Sequence, residues 1–298
     1  MRIATGSSRM TDARAAGRPR IVPRKLLGSG AVWALLLLAS ALYLVPWAWL
    51  VSSSLKAPQQ IVKLPPTWIP DPVMWGNYIG GVTRIKFFLY LRNTLIISSV
   101  TVVGTLISCS LVAYGIALID WPLRGPLFVL ILATMMVPFQ VTMIPLYVLF
   151  SKIHWINTFY PLTVPAFLGN AFFIFLLRQF FMTLPGELLD AARLDGCSSF
   201  GIYRRIAMPL AKPAIATLVA FSFIWTYNDF QGPLIYLIDN KLWTLALGLR
   251  GFASQYGDFT NNLGALMAAS TLYTLPMIVL FFVAQKALIQ GIVTSGFK

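Results

Sequence analysis

Acidic residues are scarce in this 298-residue chain: nine Asp and Glu stand against 23 Lys and Arg, and only 11% of residues are charged. Soluble globular domains carry about 25% charged residues, so the usual charged shell is excluded. Histidine and cysteine are rarer still, at one and two. His154 has no Cys or His cluster beside it, which leaves a zinc site short of ligands. Cys109 falls in an apolar run and Cys197 in a polar stretch, so they read as free thiols rather than a disulfide framework. No segment reads G-x-x-x-x-G-K-[ST], and Gly28-Ser29-Gly30 lacks the third glycine of a dinucleotide loop. Any nucleotide used for energy must be bound by another chain. No nucleophile with an oriented base is evident, which argues against a membrane-embedded hydrolase. The basic excess would suit nucleic acid only on a broad water-facing surface, whereas here it lies between apolar runs.

What the chain has in quantity is hydrophobic side chains, 58% of residues, with a mean hydropathy of +0.75. A helix crossing the hydrocarbon core needs about 20 mostly apolar residues, and the charges mark out six such windows. Charge-free stretches run over 26–55, 93–119, 125–151, 155–177 and 259–285; a sixth, 213–238, is interrupted only by Asp229. The run 287–297 is too short to cross. The expected fold is an all-α integral membrane protein with six transmembrane helices. The first window follows an Arg-rich start, as a signal peptide would, but a cleavable apolar region has about 7 to 15 residues. Its greater length predicts an anchor. The domain reading is therefore a basic cytoplasmic tail over 1–25, disordered to about residue 22, and a transmembrane domain over 26–298. With the N-terminus inside, 15 of the 23 Lys and Arg fall in inner segments, the bias expected of cytoplasmic loops. Both termini are then cytoplasmic.

Two outer segments exceed simple turns. Residues 56–92 carry Pro58, Pro65, Pro66, Pro70 and Pro72 with Trp68, Trp75 and Tyr78, which suits a folded external loop with interfacial aromatics. Residues 239–258 form either the mouth of a pathway or a cap over helix ends.

The longest inner connection, 178–212, reads as two short helices. Pro185 suits a first turn, Glu187 and Asp190 complement a positive helix start, Gly196 supplies a left-handed C-cap, and Ser198 or Ser199 caps a second helix that Pro209 stops. Leu184, Leu188, Ala191 and Ala192 are expected on one face, and Phe200, Tyr203 and Ile206 on the other helix. Helices this short are marginal alone, so they pack either on their own helix ends or on a partner.

Asp190-Ala191-Ala192, three residues, Gly196, nine residues, then Ile206-x-Met208-Pro209 resembles the Glu-Ala-Ala loop of ABC importer permeases, EAA-x3-G-x9-I-x-L-P. Asp replaces Glu at 190 and Met replaces Leu at 208. Pro65-Pro66-x-Trp68-x-Pro70, Asn77-Tyr78, Asn93-Thr94, Ala113-Tyr114, Pro138-x-Gln140, Ile144-Pro145-Leu146-Tyr147, Leu194-Asp195-Gly196, Trp225-x-x-Asn228-Asp229-Phe230 and the tail from Gly291 to Gly296 look like the carbohydrate branch. Within it the chain resembles the second, six-helix permease of maltose-type and glycerol-phosphate-type systems. The resemblance implies a bacterial inner-membrane location, a sister permease, two copies of a cytoplasmic ATPase that binds ATP and Mg, and an extracytoplasmic solute-binding protein. It implies no cofactor and no catalytic residue in this chain. Loop 183–212, between helices 4 and 5, would couple to the ATPase through Glu187, Leu188, Asp190, Ala191, Ala192, Asp195, Gly196, Ile206 and Pro209.

For the solute path, Trp225, Tyr227, Asn228 and Asp229 offer stacking faces and hydrogen-bonding groups of the kind sugars use. An interfacial aromatic belt with an interhelical hydrogen bond would explain the same residues. Gln140 beside Pro138 is a further candidate, equally consistent with a proline kink. An ion-coupled secondary transporter is the competing function; it would normally show broken helices or intramembrane carboxylates, and Asp229 alone is thin support.

Overall fold

The computed structural model describes residues 24–254 and 259–296, and every regular element among them is helical. The basic tail before residue 24 and the stretch 255–258 lie outside the described residues. The chain divides into two compact units, residues 1–48 and 49–298.

Among the described residues the helices include α1 (Arg24–Ser54), α2 (Phe87–Leu118), α3 (Arg124–Thr134), α4 (Phe139–Lys152), α5 (Ala171–Phe181), α6 (Gly186–Leu194), α7 (Ser199–Ile202), α8 (Lys212–Tyr227), α9 (Gln231–Tyr236), α10 (Leu245–Ser254) and α11 (Phe259–Gly296). Among the described residues four segments are long and apolar enough to cross a bilayer: Gly30–Ser54, Phe87–Leu118, Tyr160–Phe181, which is interrupted at Gly169-Asn170, and Asn261–Gln285. Counting each of two bent pairs as one span raises the number to as many as six, α3 with α4 at 95° and Ser199–Leu210 with α8 at 77°. The all-helical, six-window expectation stands, with two corrections. The third window breaks at Pro138, whose backbone is extended (φ −63°, ψ 141°), because proline has no N–H for the ladder and pushes the residue before it out of helical geometry. The sixth does not run from Pro213 to Ile238: α8 ends at Tyr227, and α9 begins after Asn228-Asp229-Phe230. Asp229 therefore sits in a helix break rather than inside a span.

Two apolar clusters organise the second unit. One is built from Cys109, Ala113, Tyr114 and Ile116 of α2, Phe173, Ile174, Leu177 and Phe181 of α5, Leu189 and Ala192 of α6, Ile202, Ala207 and Ala211, and Ala214 and Leu218 of α8. The other joins Ile85, Phe87 and Tyr90 to Leu245, Phe252, Ala265 and Ala269. Helix α2 contributes to both. Lys56, counted above among outer charges, is buried with its Nζ 4.0 Å from the Trp49 ring centroid. Burial lowers its pKa from the ordinary lysine value, and the ring face supplies part of the missing solvation.

Candidate functional site: an elbow between two spans

The segment from α6 to α8 is held in shape by caps that the local sequence dictates. Gly196 takes φ +77°, a conformation that costs an L side chain roughly 1–2 kcal/mol. The turn lets Gly196 N–H donate to Arg193 O (3.1 Å) and Cys197 N–H to Ala192 O (3.0 Å), the double closure that satisfies the last carbonyls of a helix. Ser198 Oγ then accepts from Gly201 N (3.1 Å) and starts α7. A widened turn over Tyr203–Ala207 follows, just before Pro209, which cannot donate to the carbonyl four residues back. The chain then bends into α8 at Ala211, just after Leu210.

The two faces of the elbow differ. Leu189 and Ala192 are buried at 5% and 6% exposure, whereas Leu188 and Leu194 stand at 42% and 90%. This corrects the expected face: Leu188 and Ala191 point away from the chain's own core, and Leu189 and Ala192 point into it. On the second helix Ile202 is buried, Tyr203 and Ile206 are half-buried against the core, and Phe200 is 63% exposed. Glu187, Asp190, Asp195 and Pro209 are exposed. Asp190 Oδ1 accepts from Arg193 Nη1 at 2.7 Å, and Arg193 Nη2 donates to Leu118 O at 3.2 Å. Such an exposed ion pair contributes little stability; its effect is to orient Arg193 toward the end of α2. Tyr114 donates to Ser199 O (2.8 Å), and Tyr203 Oη lies 2.8 Å from Ser110 Oγ. Sequence reasoning missed Ser110, Tyr114, Arg193 and Tyr203 as ties, although Ser110 and Tyr114 are four residues apart and so share one helix face.

The residues named for a solute path do not form one exposed group. Trp225 is 47% exposed, its ring resting on Phe172 and Phe173 (centroids 5.3 and 5.1 Å). Tyr227 is fully buried. Its ring stacks on Tyr273 at 4.8 Å and its hydroxyl donates to Tyr273 O, so neither ring face nor hydroxyl is on offer. Asn228 is exposed, with Oδ1 accepting from Tyr273 Oη at 2.9 Å. Asp229 Oδ1 accepts from Gly232 N at 3.1 Å, the work of a helix cap at the start of α9. Gln140 is exposed one turn before Met143, whose sulfur meets Gln231 Nε2 at 3.8 Å. Among the described residues no group of three or more His, Cys, Asp or Glu could hold a metal.

Comparison with known proteins places this geometry. Residues 106–294 match the family model described as "Binding-protein-dependent transport system inner membrane component". The arabinooligosaccharides transport system permease protein AraQ of Bacillus subtilis (strain 168) is 36% identical over 268 residues, 88% of this chain and 93% of that protein. The sn-glycerol-3-phosphate transport system permease protein UgpE of Salmonella typhi is 34% identical over 222 residues, 74% of this chain and 78% of that protein. Among solved structures, a chain from a bacterial ABC transporter involved in the import of the acidic polysaccharide alginate superposes with a TM-score of 0.78 at 21% identity, covering 91% of this chain and all of that one. A helical, multiply spanning chain with that match over most of its length belongs to the family of inner-membrane components of binding-protein-dependent ABC transport systems.

Proposed function

We propose that this chain imports sugars or related polyols as one of two permeases in an ATP-driven, binding-protein-dependent system. Cytoplasmic ATPases bound to the elbow 183–212 supply the work, and both termini lie on their side. The observation that carries the reading is the two-faced elbow. One face, Leu189 and Ala192, is part of the chain's own core; the other leaves Leu188, Ala191, Leu194 and Phe200 to solvent between Glu187, Asp190 and Asp195. An exposed apolar patch with an acidic rim fits a cleft on a partner. Rigid attachment to α2, α5 and α8 lets a moved elbow drag membrane-spanning helices with it. ATP and Mg belong to the partner ATPase, which biases the permeases by gripping the elbow differently in each state. The sugar assignment is supported by the names of the relatives AraQ and UgpE. Among the solute-path residues, Trp225 and Asn228 keep exposed surface for a solute, and Gln140 lies at the exposed bend; Asp229 and Tyr227 shape the wall behind them.

The test is co-purification of the chain, its sister permease and the ATPase after Leu194→Asp. Loss of the ATPase with unchanged thermal stability of the permease pair is expected, and a fully retained, uptake-competent complex would defeat the docking role. Uptake of labelled arabino-oligosaccharide and of glycerol 3-phosphate by proteoliposomes holding the intact complex then separates the solute classes.

A further inference from the structure

Helix α2 is fastened at both ends by side-chain hydrogen bonds to segments far away in sequence. Near its start, Asn93 and Thr94 are each 1% exposed. Asn93 Nδ2 donates to Lys241 O (2.9 Å) and Trp243 O (3.0 Å), and Thr94 Oγ1 accepts from Leu245 N (2.8 Å) while donating to Tyr90 O (2.8 Å). Two adjacent side chains thus satisfy three backbone groups of the connection leading into α10, groups that would be costly to leave unpaired at this depth. One turn earlier, Tyr90 packs so closely on Gly248 that a Cβ there would lie 2.2 Å from the ring, so only glycine lets α10 seat on α2. At the other end Ser110, Tyr114 and the Leu118 carbonyl hold Tyr203, Ser199 and Arg193 of the elbow. Between Asn93 and Tyr114 lie 21 residue steps, about 32 Å of helix. Of the four candidate spans among the described residues that are not sharply bent pairs, α2 is the one without proline, and proline is the commonest cause of a kink.

We propose that α2 is a strut that makes the segment 239–245 and the ATPase-docking elbow a single rigid body, with Asn93 and Thr94 as its positioning residues at one end and Tyr114, Arg193 and Tyr203 at the other. This rests on the docking reading above. A movement imposed on the elbow then reaches the opposite membrane face undiminished, and a partner pressing on 239–245 biases the elbow in return, since coupling between sites is reciprocal. The rest of the molecule rearranges around this body.

The experiment places spin labels at Lys241→Cys and Arg204→Cys, both exposed in this chain, in a Cys197→Ser background where only buried Cys109 remains. The assembled complex, permease pair with ATPases, is measured free of nucleotide and trapped with Mg-ATP and vanadate. A strut predicts the same label separation in both states. A change of about one helical turn, 5 Å or more, overturns it. Asn93→Ala should let the separation shift between states by that amount, whereas Thr94→Ser, which keeps the hydroxyl, should hold it fixed; a separation that stays fixed in Asn93→Ala overturns the assigned role of that side chain. Should the ATPase fail to assemble with the unlabelled wild-type pair, the docking reading falls and the strut with it; assembly with a changing separation removes the strut alone.

Discussion

Helices α2 and the α3–α4 pair are both hydrophobic enough to lie in a membrane, yet the chain treats them in opposite ways. Thirteen residues of α2 are buried, α3 has none, and α4 has Phe150 alone. Helix α2 packs against α5 and α8, and its polar side chains Asn93, Thr94, Ser110 and Tyr114 tie it to distant segments. The α3–α4 pair leaves Val129, Leu130, Met136, Val141 and Ile144 exposed, an apolar face with no cover from its own chain. Hydropathy reports that a segment leaves water; it does not report what replaces the water. The polar residues of α2 make the difference, since Asn93, Ser110 and Tyr114 reach groups on other segments, whereas Thr134 and Thr142 of the α3–α4 pair bond only to carbonyls of their own helices.

The comparison can be broken first in the core. Leu177 is fully buried in the cluster shared by α2, α5 and the elbow, so Leu177→Ala should cost about 2–5 kcal/mol. Val129 on α3 is 66% exposed, and Val129→Ala should stay within about 0.5 kcal/mol. Thermal unfolding of the permease pair in nanodiscs measures both. Equal losses would mean that α3 is packed as tightly as α5 and that the contrast drawn here is mistaken.

A smaller effect sharpens the description of the elbow. Gly196→Val must force a β-branched residue to φ +77° and should cost about 1–3 kcal/mol, with uptake falling in step with ATPase retention. Gly196→Asn, tolerated in left-handed geometry, should keep most of both. The same logic separates two neighbours at the end of α8. Tyr227→Phe removes the donor to Tyr273 O and should cost about 1 kcal/mol of stability without changing the KM for uptake. Trp225→Ala, at a half-exposed ring, should raise that KM while the melting temperature stays near wild type; an unchanged KM would remove Trp225 from the path.

Much of this was legible from the residues, and where it was not the reason is physical. Caps are local chemistry, so Gly196 and Ser198 announced the two turns of the elbow. The buried face of α6 was ambiguous because Leu188-Leu189 and Ala191-Ala192 give two equivalent pairs three residues apart; only the neighbours of α2 and α5 choose Leu189 and Ala192. The early end of α8 was hidden because a hydropathy window averages over Asn228-Asp229, whose side chains bind local groups and stop the ladder. The buried ties Asn93 and Tyr114 belong to motifs that the sequence displayed, but their partners lie 85 to 150 residues away, and no local pattern encodes such a pairing.

The smallest expected effect concerns the bend itself. Pro138 separates α3 from α4 with an extended ψ, and the two helices meet at 95°. In Pro138→Ala the restored N–H can join the ladder and the preceding residue regains helical freedom. Each backbone group satisfied internally in an apolar setting is favourable, so the pair should straighten toward one continuous helix. Because neither helix is buried in its own chain, the stability change should fall within about 0.5 kcal/mol. The visible change should instead be geometric, a longer separation between spin labels at Leu127 and Val148. If the separation stays as in wild type, the bend is imposed by the packing of Tyr147 and Phe150 on Tyr236, and the α3–α4 pair is less free of its own chain than its exposed side chains imply.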